Sequence, residues 1–274
     1  MNLPTITTPT FKLTVPSTKQ EVTMKLMQVK DEKVLLMAKE GNDTGEILAS
    51  VKQVVQNCLV APMSLSVDDL AIFDVEYMFL QLRSHSISDK TEVSYIDNDE
   101  VDTFMAEYPE GLKELTSAPE MTAAQRKATH TFTINLNEVE VKFPENKENN
   151  IKISDKAGII LKYPPASLYS DKEFMEATGE KVVDLLIQKS IQTIYDGEKQ
   201  TDIGKPEKTV DLMEQNKNRN DLKEWIDNLD VKVYNKVKEF FSDLPHLHYE
   251  IKYTNKNGKD RTITLTTLND FFSL

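Results

Sequence analysis

The chain has 274 residues, of which 39% are hydrophobic and 28% are charged. This composition is typical of a globular protein with a buried core and argues against global disorder. The formal net charge of −12 disfavours a free nucleic acid partner, because phosphate groups are bound by clustered Lys and Arg.

The cysteine content and the N-terminus indicate the cellular compartment. A single cysteine, Cys58, excludes an intrachain disulfide. The first residues lack the charged start and apolar run of a signal peptide. No apolar stretch approaches the roughly 20 residues that a membrane span needs. We therefore expect synthesis in the cytoplasm and no membrane partner.

The first elements are predicted to be a β-hairpin followed by two helices. Apolar residues alternate from Phe11 to Val15 and again from Val22 to Leu26, around a Pro-Ser-Thr turn. A short helix is expected from Asp31 to Gly41, and a second, amphipathic helix from Ile47 to Cys58. Cys58 lies on the apolar face of that helix, so we expect a buried structural thiol.

The next predicted helix is central to the core. Ser66 followed by Asp69 predicts a capping-box start. The run from Leu70 to Leu82 is apolar on nearly every side, which is typical of a helix with no wet face. Its aromatic residues could also line a ligand site, but core packing is the preferred interpretation.

The middle of the chain is predicted to be mainly β. Thr91 to Ile96 reads as a strand, and 97–127 reads as a surface insertion, acidic at first and broken by prolines. Alternation from His130 to Phe143 predicts a hairpin pair. A short strand at Ile151 and Ile153 and a brief helix in DKAGIILKYPP are expected to follow.

The last hundred residues are predicted to be helical before a final hairpin. One helix is expected to extend from Asp171 to a stop at Asp196-Gly197, followed by a loop. DLKEWIDNL and the segment after an Asp230 cap predict two more helices. HLHYEIKYT and RTITLTT, joined by a turn with Asn257-Gly258, predict a hairpin, and LNDFFSL predicts a short helical turn.

This order predicts an α+β fold, with β-hairpins at both ends and mid-chain and amphipathic helices between them. We expect an N-terminal α+β region over residues 1–165, carrying a surface insertion at 97–127. A C-terminal helical region over residues 166–274 is expected to end in the β-hairpin.

Motifs for catalysis and cofactor binding are sparse. The sequence has no Walker loop, GxGxxG, GxSxG or HExxH. His246 and His248 lie two apart on a predicted strand and could start a zinc site, but no third ligand lies nearby. Two groups of carboxylates could form a glycosidase-like pair, but surface charges in contact with solvent are the preferred interpretation. The groups are Asp97, Asp99, Glu100 and Asp102, and Asp196, Glu198 and Asp202. We expect no catalytic residue, no metal and no cofactor.

Five segments carry a resemblance to a known family. They are PTFKLTVPST (Pro9 to Thr18), VKDEKVLLMAKE (Val29 to Glu40), FDVEYMFLQLRS (Phe73 to Ser84), KVKEFFSDLPHLHYEIKYT (Lys236 to Thr254) and LNDFF (Leu268 to Phe272). In that order and spacing they resemble the baseplate hub assembly proteins of T-even-like contractile-tailed bacteriophages. The resemblance implies a non-enzymatic protein that helps to build the tail baseplate hub. It also implies a place in the host cytoplasm during assembly, and leaves the virion tail baseplate open as a final location.

Two departures from the family accompany this resemblance. The resembled proteins commonly carry Cys-x-x-Cys knuckles in the middle and near the C-terminus, whereas Thr254 and Asn257 stand where the second pair would fall. With one cysteine, neither zinc knuckle can form, so we expect turn chemistry alone to hold the C-terminal hairpin. Lys25-Leu26-Met27 replaces a typical Arg-Pro-Phe run, at a possible contact with a partner.

The resemblance implies binding to phage baseplate hub or tape-measure proteins, and the oligomeric state stays open. Aromatic anchors often centre a binding surface, so a crowded C-terminal set is the candidate for partner binding: Phe240, Phe241, Leu244, Phe271, Phe272 and Leu274. The alternative is that these residues close the core of the C-terminal half. Alternative functions are an enzyme with an unrecognised carboxylate or histidine site, or a generic chaperone or adaptor of a contractile apparatus.

Overall fold

A computed structural model describes residues 7–41, 44–107, 123–145, 147–203 and 212–271. The predicted α+β class is confirmed. The strands are β1 (Thr10–Thr14), β2 (Glu21–Lys25), β3 (Leu59–Ala61), β4 (Lys90–Ile96), β5 (Thr129–Asn135), β6 (Glu140–Lys142), β7 (Asn150–Lys152), β8 (Ala157–Leu161), β9 (Ile191–Asp196), β10 (Lys199–Asp202), β11 (His246–Thr254) and β12 (Asp260–Leu265). The α-helices are α1 (Val29–Gly41), α2 (Thr44–Cys58), α3 (Ile72–Ser86), α4 (Asn98–Glu107), α5 (Ala123–Lys127), α6 (Lys172–Glu176), α7 (Glu180–Ser190), α8 (Leu212–Asp227) and α9 (Val231–Phe240).

The described strands form small antiparallel sheets. Their orders are β1-β2-β3, β4-β5, β12-β11-β6 and β10-β9-β8-β7. The first hairpin forms as predicted, with Leu13 paired to Val22. The last hairpin also forms as predicted, with Ile251 paired to Ile263.

Helix α3 is buried in the larger of two hydrophobic clusters, as its apolar pattern predicts. Its buried apolar residues are Phe73, Val75, Met78, Phe79, Leu80 and Leu82. The cluster adds side chains from the β1-β2 hairpin, α2, the β4-β5 pair and the β11-β12 hairpin. Cys58 is fully buried there. Burial, helped by the charge of Asp31, raises the pKa of this thiol to about 12.

The second cluster lies between the β7-to-β9 strands and helices α7, α8 and α9. Ile159, Leu161, Ile187 and Val237 are at its centre. The β11-β12 hairpin belongs instead with the first cluster, because β11 pairs with β6, placing Leu247 opposite Val141. The C-terminal hairpin therefore packs with elements from the first half of the chain.

Several local predictions are wrong in the β-rich stretches. Residues 130–143 do not form a hairpin, because β5 pairs with β4 and β6 pairs with β11. DKAGIILKYPP contains strand β8 rather than a helix, and the residues after Ser190 leave the helix for β9. The expected loop then contains β10. Short apolar runs fit a buried strand as well as a helix, and only the neighbouring strands decide between them.

The predicted start of the core helix is also wrong. Ser66 precedes a single 3-10 turn over Val67–Asp69, and its side chain makes no capping hydrogen bond. Helix α3 begins later, at Ile72, after Ala71. The predicted Asp230 cap does form, because its side chain accepts a hydrogen bond from the Lys232 amide at 2.8 Å.

Candidate functional site

Of the predicted partner-binding residues, the four that the structure describes do not form one exposed patch. Phe240 is 4% exposed in the second cluster, with Phe241 and Leu244 partly buried against it. Phe271 is fully buried in the first cluster. Phe272 and Leu274 lie outside the described residues. Phe240 and Phe271 therefore lie in hydrophobic clusters, in agreement with the alternative that these residues close the core.

The two histidines on β11 have separate, local partners. His246 Nδ1 lies 3.2 Å from the carbonyl oxygen of Leu244, and His248 Nε2 lies 3.5 Å from Glu250 Oε1. Within the described ranges, no three His, Cys, Asp or Glu side chains are grouped as metal ligands would be.

The most organised polar group in the described structure begins at the first acidic cluster. Asp97 precedes α4, and its Oδ1 accepts hydrogen bonds from the amides of Asp99 at 2.9 Å and Glu100 at 3.3 Å. This is the geometry of an N-cap, and it directs the three carboxylates towards the same neighbour. Asp97 is 2% exposed and Glu100 is 6% exposed. The start of the predicted surface insertion is therefore interior.

The neighbour is the turn between β11 and β12, more than 150 residues further along the chain. The Tyr253 hydroxyl donates to Asp97 Oδ2 at 2.6 Å. Asn255 Nδ2 donates to Asp97 Oδ2 and to Asp99 Oδ2, both at 3.2 Å. These contacts fix the hairpin turn against the first turn of α4.

The Glu100 side chain binds a backbone amide of the same turn. Its Oε1 accepts a hydrogen bond from the Lys256 amide at 2.7 Å and lies 2.7 Å from His130 Nε2. The Lys256 ammonium lies 3.3 Å from Glu100 Oε2. A buried carboxylate thus joins β5 to the hairpin turn.

Basic side chains of the hairpin neutralise the other two carboxylates. Lys259 Nζ donates to Asp99 Oδ1 at 2.8 Å. The Arg261 guanidinium lies 3.6 Å from Asp97 Oδ2 and 3.4 Å from Asp99 Oδ2. We call this group of Asp97, Asp99, Glu100 and their partners in residues 253–261 the hairpin lock.

The hairpin lock keeps Asp97 ionised although it is buried. Burial opposes ionisation, but hydrogen bonds from Tyr253 and Asn255 outweigh it and hold the pKa of Asp97 below its ordinary value. The same environment raises the pKa of Tyr253, through burial and the Asp97 contact. Asp97 is therefore an acceptor rather than a proton donor.

Asp99 and Glu100 are held in the same state. Hydrogen bonds from Lys259 and Asn257 lower the pKa of Asp99. For Glu100, burial again opposes ionisation, and the Lys256 amide and His130 overcome it, so that its pKa is lowered. A carboxyl group that acts as a general acid at neutral pH needs a raised pKa. Because the pKa values of these carboxylates are lowered, they serve instead as ionised hydrogen-bond acceptors that stabilise the hairpin turn.

The expectation that turn chemistry alone holds the C-terminal hairpin is wrong. Gly258 does supply a left-handed turn residue with φ of 75°. The carboxylates before and within α4 add side-chain bonds to four turn residues. The sequence shows an acidic run at 97–100 and a basic run at 256–261. They are so far apart along the chain that the sequence did not predict their contact.

The second acidic cluster is placed differently. Asp196, Glu198 and Asp202 lie on or beside the β9-β10 hairpin and are exposed. Asp202 Oδ1 accepts a hydrogen bond from Thr193 Oγ1 at 2.8 Å. The bond that Asp202 makes is therefore within the β9-β10 hairpin.

Sequence reasoning did not single out Glu76, a titratable residue on α3. Glu76 forms a hydrogen bond with the Leu268 backbone, in the final 3-10 turn. Burial, reinforced by the charge of Asp270, raises the pKa of Glu76 to about 7. No local pattern marks Glu76, because the residues that act on it, Leu268 and Asp270, are distant in sequence.

Comparison with known proteins identifies the family. Among the described residues, no helix is both long and apolar enough to cross a bilayer. No curated protein and no solved structure matches the chain. A family model described as T4 bacteriophage base plate protein matches residues 8–273. This match spans almost the entire sequence, and the chain belongs to the T4 bacteriophage base plate protein family.

Proposed function

We propose that this protein is a non-enzymatic assembly factor or component of the tail baseplate hub, and that it acts in the host cytoplasm by binding hub or tape-measure proteins. The family match over residues 8–273 carries the proposal, because baseplate proteins work as parts of a multi-protein assembly. The resemblance of the N- and C-terminal segments to hub assembly proteins supports the narrower role.

The paired acidic cluster, the exposed apolar side chains and the net charge support a binding role. The first acidic cluster is occupied by Lys256, Lys259 and Arg261, so its carboxylates stabilise the fold. Large apolar side chains are exposed elsewhere, including Met37 at 71% and Met63 at 95%. Exposed apolar groups of this kind serve association better than catalysis. The net charge of −12 opposes self-association before the partner arrives.

Co-expression of the full chain with each hub protein and with the tape-measure protein tests this function. We expect one of these proteins to co-elute with the chain in size-exclusion chromatography, at a fixed stoichiometry measured by light scattering. An acidic protein of similar size is the control for non-specific association. Failure of every hub and tape-measure protein to form a complex would overturn the proposal.

A further inference from the structure

One edge of the largest sheet borders a cleft. In the order β10-β9-β8-β7, strand β7 has a neighbour on one side only among the described strands. The cleft has a volume of about 460 Å³ and is lined by residues of 144–152, which include β7, and of 236–243, which include the end of α9. Binding pockets have volumes of about 300–1,000 Å³, so this cleft can receive part of another molecule.

The hydrogen bonds of the sheet leave a regular set of backbone groups open at this edge. On either side of β7, the Asn149 carbonyl oxygen accepts a hydrogen bond from β8 at 2.7 Å and the Ile153 amide donates one to β8 at 2.9 Å. Because the pairs of an antiparallel ladder alternate, Ile151 also bonds to β8, whereas the amides and carbonyls of Asn150 and Lys152 point away from it. In the described part of the chain, these four outward groups have no backbone partner.

The cleft has an apolar floor and a mixed set of charges. Ile151 and Phe240 are 8% and 4% exposed and belong to the second cluster. Three lysines and four carboxylates also line the cleft. Neither sign of charge is in large excess, so the lining favours uncharged groups over an anion or a cation.

Lys147 brings an ammonium group without a partner into the wall of the cleft. Its Nζ is shielded from solvent, makes no hydrogen bond to the described residues and lies 5.6 Å from the centroid of the Phe240 ring. Burial lowers the pKa of Lys147, and the charges of Asp243 and Glu239 oppose this shift. A buried donor without an acceptor is unfavourable. The flexible lysine stem allows the ammonium to turn towards an acceptor that enters the cleft.

We propose that the open edge of β7 binds an extended segment of a hub or tape-measure protein, which adds to the sheet as a fifth strand. The backbone of that segment pairs with the outward amides and carbonyls of Asn150 and Lys152, because an extended chain presents donors and acceptors at the same spacing. An apolar side chain of the segment packs on Ile151 and Phe240, and one of its amide or carbonyl oxygens accepts from Lys147. This inference rests on the proposed function.

Proline at position 152 tests the edge without breaking the sheet. The Lys152 amide points away from β8, so Lys152→Pro removes an outward donor and no bond between β7 and β8. Lys152→Ala removes the same side chain and keeps the amide. We expect the proline variant to bind the co-eluting hub or tape-measure protein about tenfold more weakly than the alanine variant, at a similar melting temperature.

Gln200→Pro is the matched control. Strand β10 is the other edge of the same sheet, and the register places the Gln200 amide on its outward side as well. This control should change affinity by less than about twofold, because the cleft lies at β7. An equal loss of affinity in Gln200→Pro and Lys152→Pro would overturn the inference.

Lys147→Met tests the acceptor in the cleft. The variant keeps an unbranched side chain and removes an ammonium that has no partner among the described residues. We expect affinity to fall by about fivefold or more, with a melting temperature that is unchanged or higher. Full affinity in this variant would contradict the proposed bond to Lys147.

Amide hydrogen exchange gives a measurement that needs no variant. The amides of Asn150 and Lys152 should exchange rapidly in the chain alone and become protected by about tenfold or more in the complex, whereas Ile151 is protected in both. No new protection at 150 and 152 in the complex would overturn the inference. Protection in the chain alone would overturn it too: if independent of concentration, another segment of this chain covers the edge, and if it grows with concentration, a second copy does.

These outcomes separate the inference from the proposed function. If the wild-type chain binds no hub or tape-measure protein, the proposed function fails, and this inference fails with it. If the wild type binds and Lys152→Pro binds as tightly as Lys152→Ala, only the β7 inference fails.

Discussion

The hairpin lock predicts that Asn255→Ala destabilises the protein far more than the loss of a surface amide would. Asn255 is 4% exposed, and its side chain makes four hydrogen bonds. Its Nδ2 donates to Asp97 and Asp99, both at 3.2 Å. Its Oδ1 accepts from the amides of Asn257 at 3.1 Å and Lys259 at 2.9 Å.

The magnitude follows from these four contacts. A neutral hydrogen bond contributes about 0.5–1.5 kcal/mol net, and one to a charged group about 1.5–3 kcal/mol. The simple sum overstates the loss, because Asp97 keeps Tyr253 and Asp99 keeps Lys259 in the variant. We expect the free energy of unfolding to fall by about 3 kcal/mol.

Urea unfolding at neutral pH measures this loss as a shift in midpoint at constant slope. Asn228→Ala is the control, because Asn228 is exposed at the end of α8 and donates one hydrogen bond to the Glu224 carbonyl at 2.8 Å. The control should change stability by less than about 0.5 kcal/mol. A loss below about 1 kcal/mol for Asn255→Ala would refute the reasoning, since the lock would then contribute little to the fold.

Three further predictions concern the core and its last turn. The pKa of Glu76 is about 7 in the folded chain, above its ordinary 4.5, so stability should fall as pH rises between these values. Glu76→Gln should therefore gain about 2–3 kcal/mol at pH 8 and little below pH 4.5 in urea unfolding; a pH-independent gain would contradict this. Phe79→Ala should cost about 3–5 kcal/mol, because Phe79 is 6% exposed in the first cluster, and a loss under about 1 kcal/mol would place it outside the core. Phe271→Ala should lower the melting temperature, because Phe271 is fully buried, whereas lost partner binding at an unchanged melting temperature would favour a docking role.

Local patterns in the sequence predicted much of the fold correctly. The alternation from Phe11 to Leu26 specified the first hairpin, and the apolar run from Leu70 to Leu82 specified a buried helix. The cap at Asp230 and the turn at Gly258 were also readable, because each depends on residues a few positions apart. The order and spacing of the resembled segments likewise indicated a baseplate family, which the match over residues 8–273 confirms.

Other features depend on residues that are distant in sequence. Ile159 and Ile194 lie on strands because β8 and β9 pair with each other, whereas their short apolar runs fit a helix equally well. The burial of Phe271 in the first cluster and the raised pKa of Glu76 on α3 both involve the turn Leu268–Phe271.

The hairpin lock shows the physical limit most clearly. The sequence by itself determined that 97–100 is acidic, that 256–261 is basic and that the second segment turns. Only the tertiary structure decided that Asp97 and Asn255 meet, because an ionic hydrogen bond depends on distance in space and not along the chain.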